Sequence, residues 1–149
     1  MRTFCVCIAA LALFGSAVAA EKTLQMKDLP PAVQKGVQDE AKGAEIKNIG
    51  KEIEKGKTTY EVETMLGARH RDFVVDAKGS LLEVEDETTL DAIPAAAKAA
   101  IEKKVGTGKL TRVEKMTRGR ETFYEASYTA KSGRKMEALF KPDGTATKD

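Results

Sequence analysis

The sequence has no tryptophan, a single histidine and only two cysteines. Its aromatic residues are limited to five phenylalanines and three tyrosines. Both cysteines, Cys5 and Cys7, stand close to the N-terminus. The chain therefore offers few residues for a Cys- or His-based metal site or nucleophile.

The N-terminal segment has the three parts of a secretory signal peptide. Arg2 supplies a positive charge, and residues 4–14 form an apolar run too short to span a membrane. Small residues follow at 15–20, and they place the predicted cleavage at Ala19 or Ala20. We predict that residues 1–20 are removed and that the protein is periplasmic or secreted.

Removal of this segment also removes Cys5 and Cys7. The exported chain then has no thiol for a disulfide, a zinc site or a nucleophile. No long apolar run remains after it, so we predict no transmembrane segment. The formal net charge of the whole chain is only +2, and an exported protein so close to neutral is not expected to bind nucleic acid.

The sequence repeats itself once at a constant offset. Tyr60-Glu61 matches Tyr124-Glu125, and Leu29-Pro30 matches Ile93-Pro94. We predict one repeat over residues 21–88 and a second over residues 89–149. The first repeat is net acidic and the second net basic, so the two could attract each other.

Each repeat reads as one helix followed by strands. Prolines at 30–31 and 94 suit the first turn of a helix, and apolar residues four apart form its buried face. Alternating apolar and polar residues then predict three or four strands per repeat, with a bulge near Asn48 and a turn at residues 76–79. The last strand of the second repeat is predicted to be short. The predicted fold class is α+β, with two tandem repeats, each one helix packed on an antiparallel three- or four-stranded sheet. Whether the two sheets join into one is left open.

Several of these residues resemble the PepSY domain. They are Leu29-Pro30, the Ile46-x-x-Ile49 strand, Tyr60-Glu61-Val62 and the Asp76-x-x-Gly79 turn. The tandem arrangement is similar to PepSY-like proteins with the β-lactamase-inhibitor-protein fold. The resemblance implies an exported, non-catalytic domain that binds or restrains a peptidase or another enzyme. It supplies no fixed binding residues for this chain.

The sequence gives no catalytic constellation. His70 lies between Arg69 and Arg71, which disfavour its protonated form, so we interpret it as a surface histidine. Residues 106–109 contain two glycines and a lysine, but the spacing is wrong for a phosphate-binding loop. We predict no enzyme, no cofactor and no metal site.

An acidic cluster comprises Glu83, Glu85, Asp86 and Glu87. Because Glu83 and Glu85 alternate on one strand face, we predict a solvated, charged sheet edge. The alternative interpretations are a protein-binding patch or a cation site, although the order of calcium ligands of an EF-hand is missing.

The predicted partner-binding surface lies in the second repeat. Tyr60 and Tyr124 are predicted to be core residues, and Phe123 points to the opposite side of its strand from Tyr124. The candidate partner-binding residues are Phe123, Arg118, Arg120, Arg134 and Lys135.

The leading functional hypothesis is an exported, non-enzymatic binding module that acts as an inhibitor or regulator of a peptidase or another hydrolase. Its partner would be another exported protein, docked on the outer sheet face and on the hairpin loops at 67–69 and 131–133. The alternative is a small-ligand or cation-binding envelope protein that uses residues 83–87 or the cleft between the repeats.

Overall fold

Two similar series of one helix and four strands follow each other along the chain. The computed structural model describes residues 23–147, so the predicted signal peptide, Cys5, Cys7 and the cleavage positions Ala19 and Ala20 lie outside the described residues. The elements are α1 (Pro31–Ala41), β1 (Glu45–Glu54), β2 (Lys57–Leu66), β3 (Arg69–Asp76), β4 (Leu81–Thr88), α2 (Ala95–Val105), β5 (Lys109–Arg118), β6 (Glu121–Thr129), β7 (Lys135–Phe140) and β8 (Ala146–Thr147). A short 3₁₀ turn precedes each helix, at Met26–Asp28 and at Leu90–Ala92.

All eight strands form one antiparallel sheet in the order β1-β2-β3-β4-β5-β6-β7-β8. The last strand of the first series, β4, pairs with the first strand of the second, β5, from Glu83 opposite Arg118 to Thr88 opposite Val113. The predicted fold class of two tandem helix-on-sheet repeats is therefore wrong, because the strands of both series form one sheet. The physical reason is that β4 runs to Thr88, which gives it a long edge whose backbone groups β5 satisfies.

Both helices pack on the same face of this sheet. Val33 and Val37 of α1 pack with Val62 and Phe73, and a further cluster joins α2 to β5, β6 and β7. A third cluster, on the opposite face, contains no helix residue. No helix within residues 23–147 is long and apolar enough to cross a membrane.

The local predictions agree closely with the structure. The register of β1 and β2 shifts between Ile46 and Asn48, which confirms the bulge. Tyr60 and Tyr124 are buried in the two helix-side clusters, as predicted. The final strand, β8, has only two residues, which confirms the prediction of a short last strand. These features depend on near neighbours in the chain, which sequence patterns report directly.

Helix α1 touches the β3–β4 turn through two glycines. A Cβ atom on Gly36 would lie 2.2 Å from the carbonyl oxygen of Gly79, and Gly79 itself has a φ of +79°. Ala100 stands at the matching position of α2. A Cβ on Gly79 would lie 2.1 Å from the Ala32 carbonyl oxygen, and a Cβ on the matching Gly144 would lie 2.6 Å from the Ala96 carbonyl oxygen. The first helix therefore sits closer to its turn than the second one does, and both turns require glycine.

We predict that Gly36→Ala destabilises the protein by about 1–3 kcal/mol, because the overpacked methyl group must displace backbone. This loss exceeds the gain of about 1 kcal/mol that alanine offers over glycine within a helix. Urea denaturation measures the difference, with exposed Gln38→Ala in the same helix as the control. A Gly36→Ala variant as stable as Gln38→Ala would contradict the close contact.

Candidate functional site

The face opposite the helices carries most of the unusual chemistry. Side chains alternate across each strand, and directly opposed residues of an antiparallel pair share a face. We call this surface the open face. By the strand registers its members include Glu52, Glu54, Thr59, Glu61, Glu63, Met65, His70, Asp72, Val74, Asp76, Glu83, Glu85, Glu87, Arg112, Glu114, Met116, Arg118, Glu121, Phe123, Glu125, Ser127, Thr129, Lys135, Glu137 and Leu139.

Three glutamates stand in line across the middle of the open face. Glu87 of β4 is directly opposite Glu114 of β5, and Glu114 is directly opposite Glu125 of β6. We call these three residues the glutamate row. Asp72 and Glu85, which are opposite each other, lie beside it. Like charges directly opposed across strands destabilise a sheet, so this arrangement opposes folding.

The centre of the glutamate row is nearly inaccessible to solvent. Glu114 is 1% exposed and Glu125 is 4% exposed. The Nε of Arg112 lies 3.0 Å from Oε2 of Glu114. Oε1 of Glu114 and Oγ of Ser127 are buried and have no hydrogen-bond partner among the described residues. An unpaired buried oxygen is costly, and an added cation or proton would relieve that cost.

Burial also raises the proton affinity of these carboxyl groups. Desolvation, together with the charges of Glu114 and Glu125, raises the pKa of Glu85 to about 10. Desolvation raises the pKa of Glu114 to about 7, although the charge of Arg112 opposes the change. Burial likewise raises the pKa of Asp72, despite the hydrogen bond that its carboxylate accepts from the Thr64 N–H. At neutral pH the open face therefore holds bound protons.

Arg118 connects the acidic part of the open face to an apolar part. Its Nε forms an ion pair with Glu83 across the β4–β5 pair, and its guanidinium carbon lies 6.0 Å from the centre of the Phe123 ring. Phe123 packs with Met116 and Leu139, and all three are buried. The Glu83 side chain also shares a hydrogen bond with Glu85, which favours the protonated form of Glu85.

The acidic cluster of residues 83–87 is not at a sheet edge. Strand β4 is flanked by β3 and β5, so the prediction of a solvated edge is wrong. Glu83, Glu85 and Glu87 are all partly buried on the open face, and only Asp86 of the four is exposed. The sequence pattern gave the shared face of these residues correctly, but the pairing with β5 placed them at the centre.

The structure does not bring all five candidate partner-binding residues together. Arg118 and Phe123 lie on the open face near the β5–β6 turn, and Arg120 is exposed in that turn. Arg134 and Lys135 are exposed at the start of β7, near the opposite end of the sheet. The hairpin loops at 67–69 and 131–133 are both at the end that carries Arg134, because β2 and β6 run in the same direction.

His70 and the metal question have direct answers in the described residues. His70 is exposed on β3, as predicted, and its backbone N–H donates to Oε2 of Glu87 at 2.9 Å. Within residues 23–147, no three Asp, Glu, His or Cys side chains converge closely enough to hold a metal ion. The carboxylates of the open face are instead spread over strands β1 to β7.

Sequence reasoning missed the three most buried acids of this face, Asp72, Glu114 and Glu125. The signal that could have revealed them is in β6, where the residues before and after Glu125 in the sequence are buried on both faces of the strand. A glutamate inside such a strand is unusual, since charged residues are rarely fully buried unless paired.

Solved structures show where this architecture occurs elsewhere. The sequence matches no family model and no curated protein. A proposed periplasmic protein of Bacteroides eggerthii is similar with a TM-score of 0.63 and 17% identity, over 80% of this chain and 86% of that one. A DUF2874 family protein of Bacteroides ovatus gives 0.60 and 12%, over 80% and 85%. A BLIP-like protein of Bacteroides fragilis gives 0.55 and 18%, over 80% and 83%.

The chain has a BLIP-like fold. At these identities the likeness extends to the fold alone, and none of these three structures is named as a PepSY domain. The fold part of the predicted resemblance is therefore confirmed. The site must be argued from the residues of this chain.

We predict that the protein becomes less stable as the pH rises above about 5. A carboxyl group with a raised pKa keeps its proton in the folded chain after the unfolded chain has lost it, so the free energy of unfolding falls with pH. For Glu114 the fall runs from 4.5 to about 7, and for Glu85 it continues towards about 10. Urea denaturation at pH 5.5, 7 and 8.5 measures it.

The variant Glu85→Gln separates this effect from other pH effects. The gain in stability should be at least about 1.4 kcal/mol larger at pH 8.5 than at pH 5.5, the equivalent of one pKa unit. Glu52→Gln, at an exposed position of β1, removes the same charge as the control. Equal effects of the two substitutions at pH 8.5 would contradict the raised pKa of Glu85.

Proposed function

We propose that this protein is an exported, non-enzymatic binding module that docks another protein on its open face. The observation that carries the proposal is the glutamate row, Glu87, Glu114 and Glu125, directly opposed on neighbouring strands. Such an arrangement costs stability, and groups that oppose folding and have strongly shifted pKa values concentrate at functional sites.

The distribution of the layers supports the same conclusion. Both helices cover one face of the sheet, and no helix of the described residues covers the other. Along β6 the open face extends about 27 Å, at ~3.4 Å per residue. This length suits one side of a standard protein interface. It also brings Arg118 at one end and Lys135 at the other within reach of a single partner.

Export is proposed on the basis of the N-terminal signal peptide with cleavage at Ala19 or Ala20. The periplasmic proposal for the B. eggerthii protein of similar fold agrees with it. The finer proposal is that the partner is a peptidase or another hydrolase that the module inhibits or regulates. It rests on the PepSY resemblance of Leu29-Pro30 and Tyr60-Glu61-Val62 and on the BLIP-like fold.

The five candidate partner-binding residues have different roles in this proposal. Arg118 and Lys135 would contact the partner directly, with Arg120 and Arg134 at the two ends of the surface. Phe123 is only 8% exposed, so it would support Arg118 from below. Replacing Phe123 would also cost folding stability, and it is therefore a poor probe of binding.

We predict that photo-cross-linking in the native envelope captures a partner from the open face only. A photoreactive phenylalanine derivative at Glu121 or at Lys135 should cross-link to one dominant protein, since both positions are exposed at opposite ends of that face. Exposed Gln38 of α1 and Glu102 of α2 serve as matched positions on the helix side. Mass spectrometry then identifies the captured protein.

Cross-links from Gln38 or Glu102 and none from the open face would contradict the proposed docking surface. A captured peptidase or hydrolase that loses activity when the purified module is added would support the inhibitor role. A captured hydrolase that keeps full activity would leave the module as a binding partner and remove the inhibitor role.

A further inference from the structure

We propose that the open face recognises a basic side chain of its partner, held over Glu87 and neutralising the buried Glu114 directly opposite it on the neighbouring strand. This inference rests on the proposed function, because it gives the chemistry of the partner that the open face would dock.

The first support is the balance of charge around Glu114. Glu87 lies directly opposite Glu114 on the neighbouring strand, and the negative charges of Glu87 and Glu137 both act on Glu114. Glu87 is partly exposed, whereas Glu114 is not. A positive group placed over Glu87 would therefore contact an accessible carboxylate and lie close to a buried one. In a poorly hydrated site each such attraction is stronger than in water.

The second support is the unsatisfied oxygen of Glu114. Its Oε2 accepts from Arg112, but its buried Oε1 has no hydrogen-bond partner among residues 23–147. The guanidinium of Arg112 thus pairs with only one of the two oxygens of this carboxylate. The remaining negative potential favours a further cation from outside.

The spread of the carboxylates favours a basic side chain over a metal ion. No three acidic groups of the described residues converge on one point, as a compact divalent cation would require. A guanidinium is planar and extended, presents five N–H donors, and can bridge carboxylates on neighbouring strands. Arginine is therefore the ligand that fits best.

Bound protons give this recognition a measurable signature. The raised pKa of Glu114 means that the glutamate row is partly protonated near neutral pH. An arriving cation favours the ionised carboxylates, so binding releases protons and weakens in acid. The charged and titratable groups that face this site from the surrounding strands are Glu61 and Glu63 of β2, His70 and Asp72 of β3, Glu83 and Glu85 of β4, Arg112 and Arg118 of β5, Glu121 and Glu125 of β6, and Lys135 of β7.

The test uses a fluorescent tetra-arginine peptide and a tetra-citrulline peptide, which has the same shape without the charge. Fluorescence anisotropy at pH 8 should show the exported protein binding the arginine peptide at least about tenfold more tightly, the effect of one charge-assisted hydrogen bond. The variant Glu87→Gln should lose about this factor. The matched variant Glu102→Gln removes one exposed charge from α2, on the helix side of the sheet, and should bind as the wild type does.

Calorimetry at pH 7 in phosphate and in Tris buffer measures the released protons. The binding enthalpy of the arginine peptide should differ between the two buffers for the wild type and much less for Glu114→Gln. Equal binding of the two peptides, or equal losses in Glu87→Gln and Glu102→Gln, would overturn the proposal. So would stabilisation by calcium chloride that requires Glu87 without any binding of the arginine peptide. In those cases cross-linking from Glu121 and Lys135 would still report separately on the docking surface.

Discussion

The pairing of β4 with β5 is the contact on which the rest of the structure depends. It joins two series of helix and strands into one eight-stranded sheet and brings both helices onto one face. It also places Glu87 directly against Glu114, which neither series could do alone. The same backbone pairing that satisfies two strand edges thus creates the charged centre of the open face.

The β4–β5 pair is also the place where the oppositely charged halves of the chain meet. The acidic first half and the basic second half meet at one strand pair, where Arg118 forms an ion pair with Glu83. Further along the same pair, two like charges face each other at Glu87 and Glu114. The attraction between halves is therefore local, and Oε1 of the central Glu114 has no hydrogen-bond partner among the described residues. That unsatisfied oxygen makes a basic partner chemically reasonable.

Burial of the carboxyl groups determines how much the open face destabilises the fold. Side chains from neighbouring strands shield Glu114, although no helix of the described residues covers it. By contrast, Asp76 and Asp143 accept hydrogen bonds from turn N–H groups, which lower the pKa of each carboxyl. These lowered values stabilise the fold above the acid range, and the raised values destabilise it at higher pH.

The sequence by itself determined the features that depend on near neighbours. Alternation gave the strands, prolines gave the helix starts, and the step from Ile46 to Ile49 gave the bulge at Asn48. It also showed that Glu83 and Glu85 share a face. Only the tertiary structure decided that β4 and β5 pair, that the acidic strand is central, and that Glu87, Glu114 and Glu125 are aligned. Register between distant strands depends on the packing of the whole chain, and no local pattern encodes it.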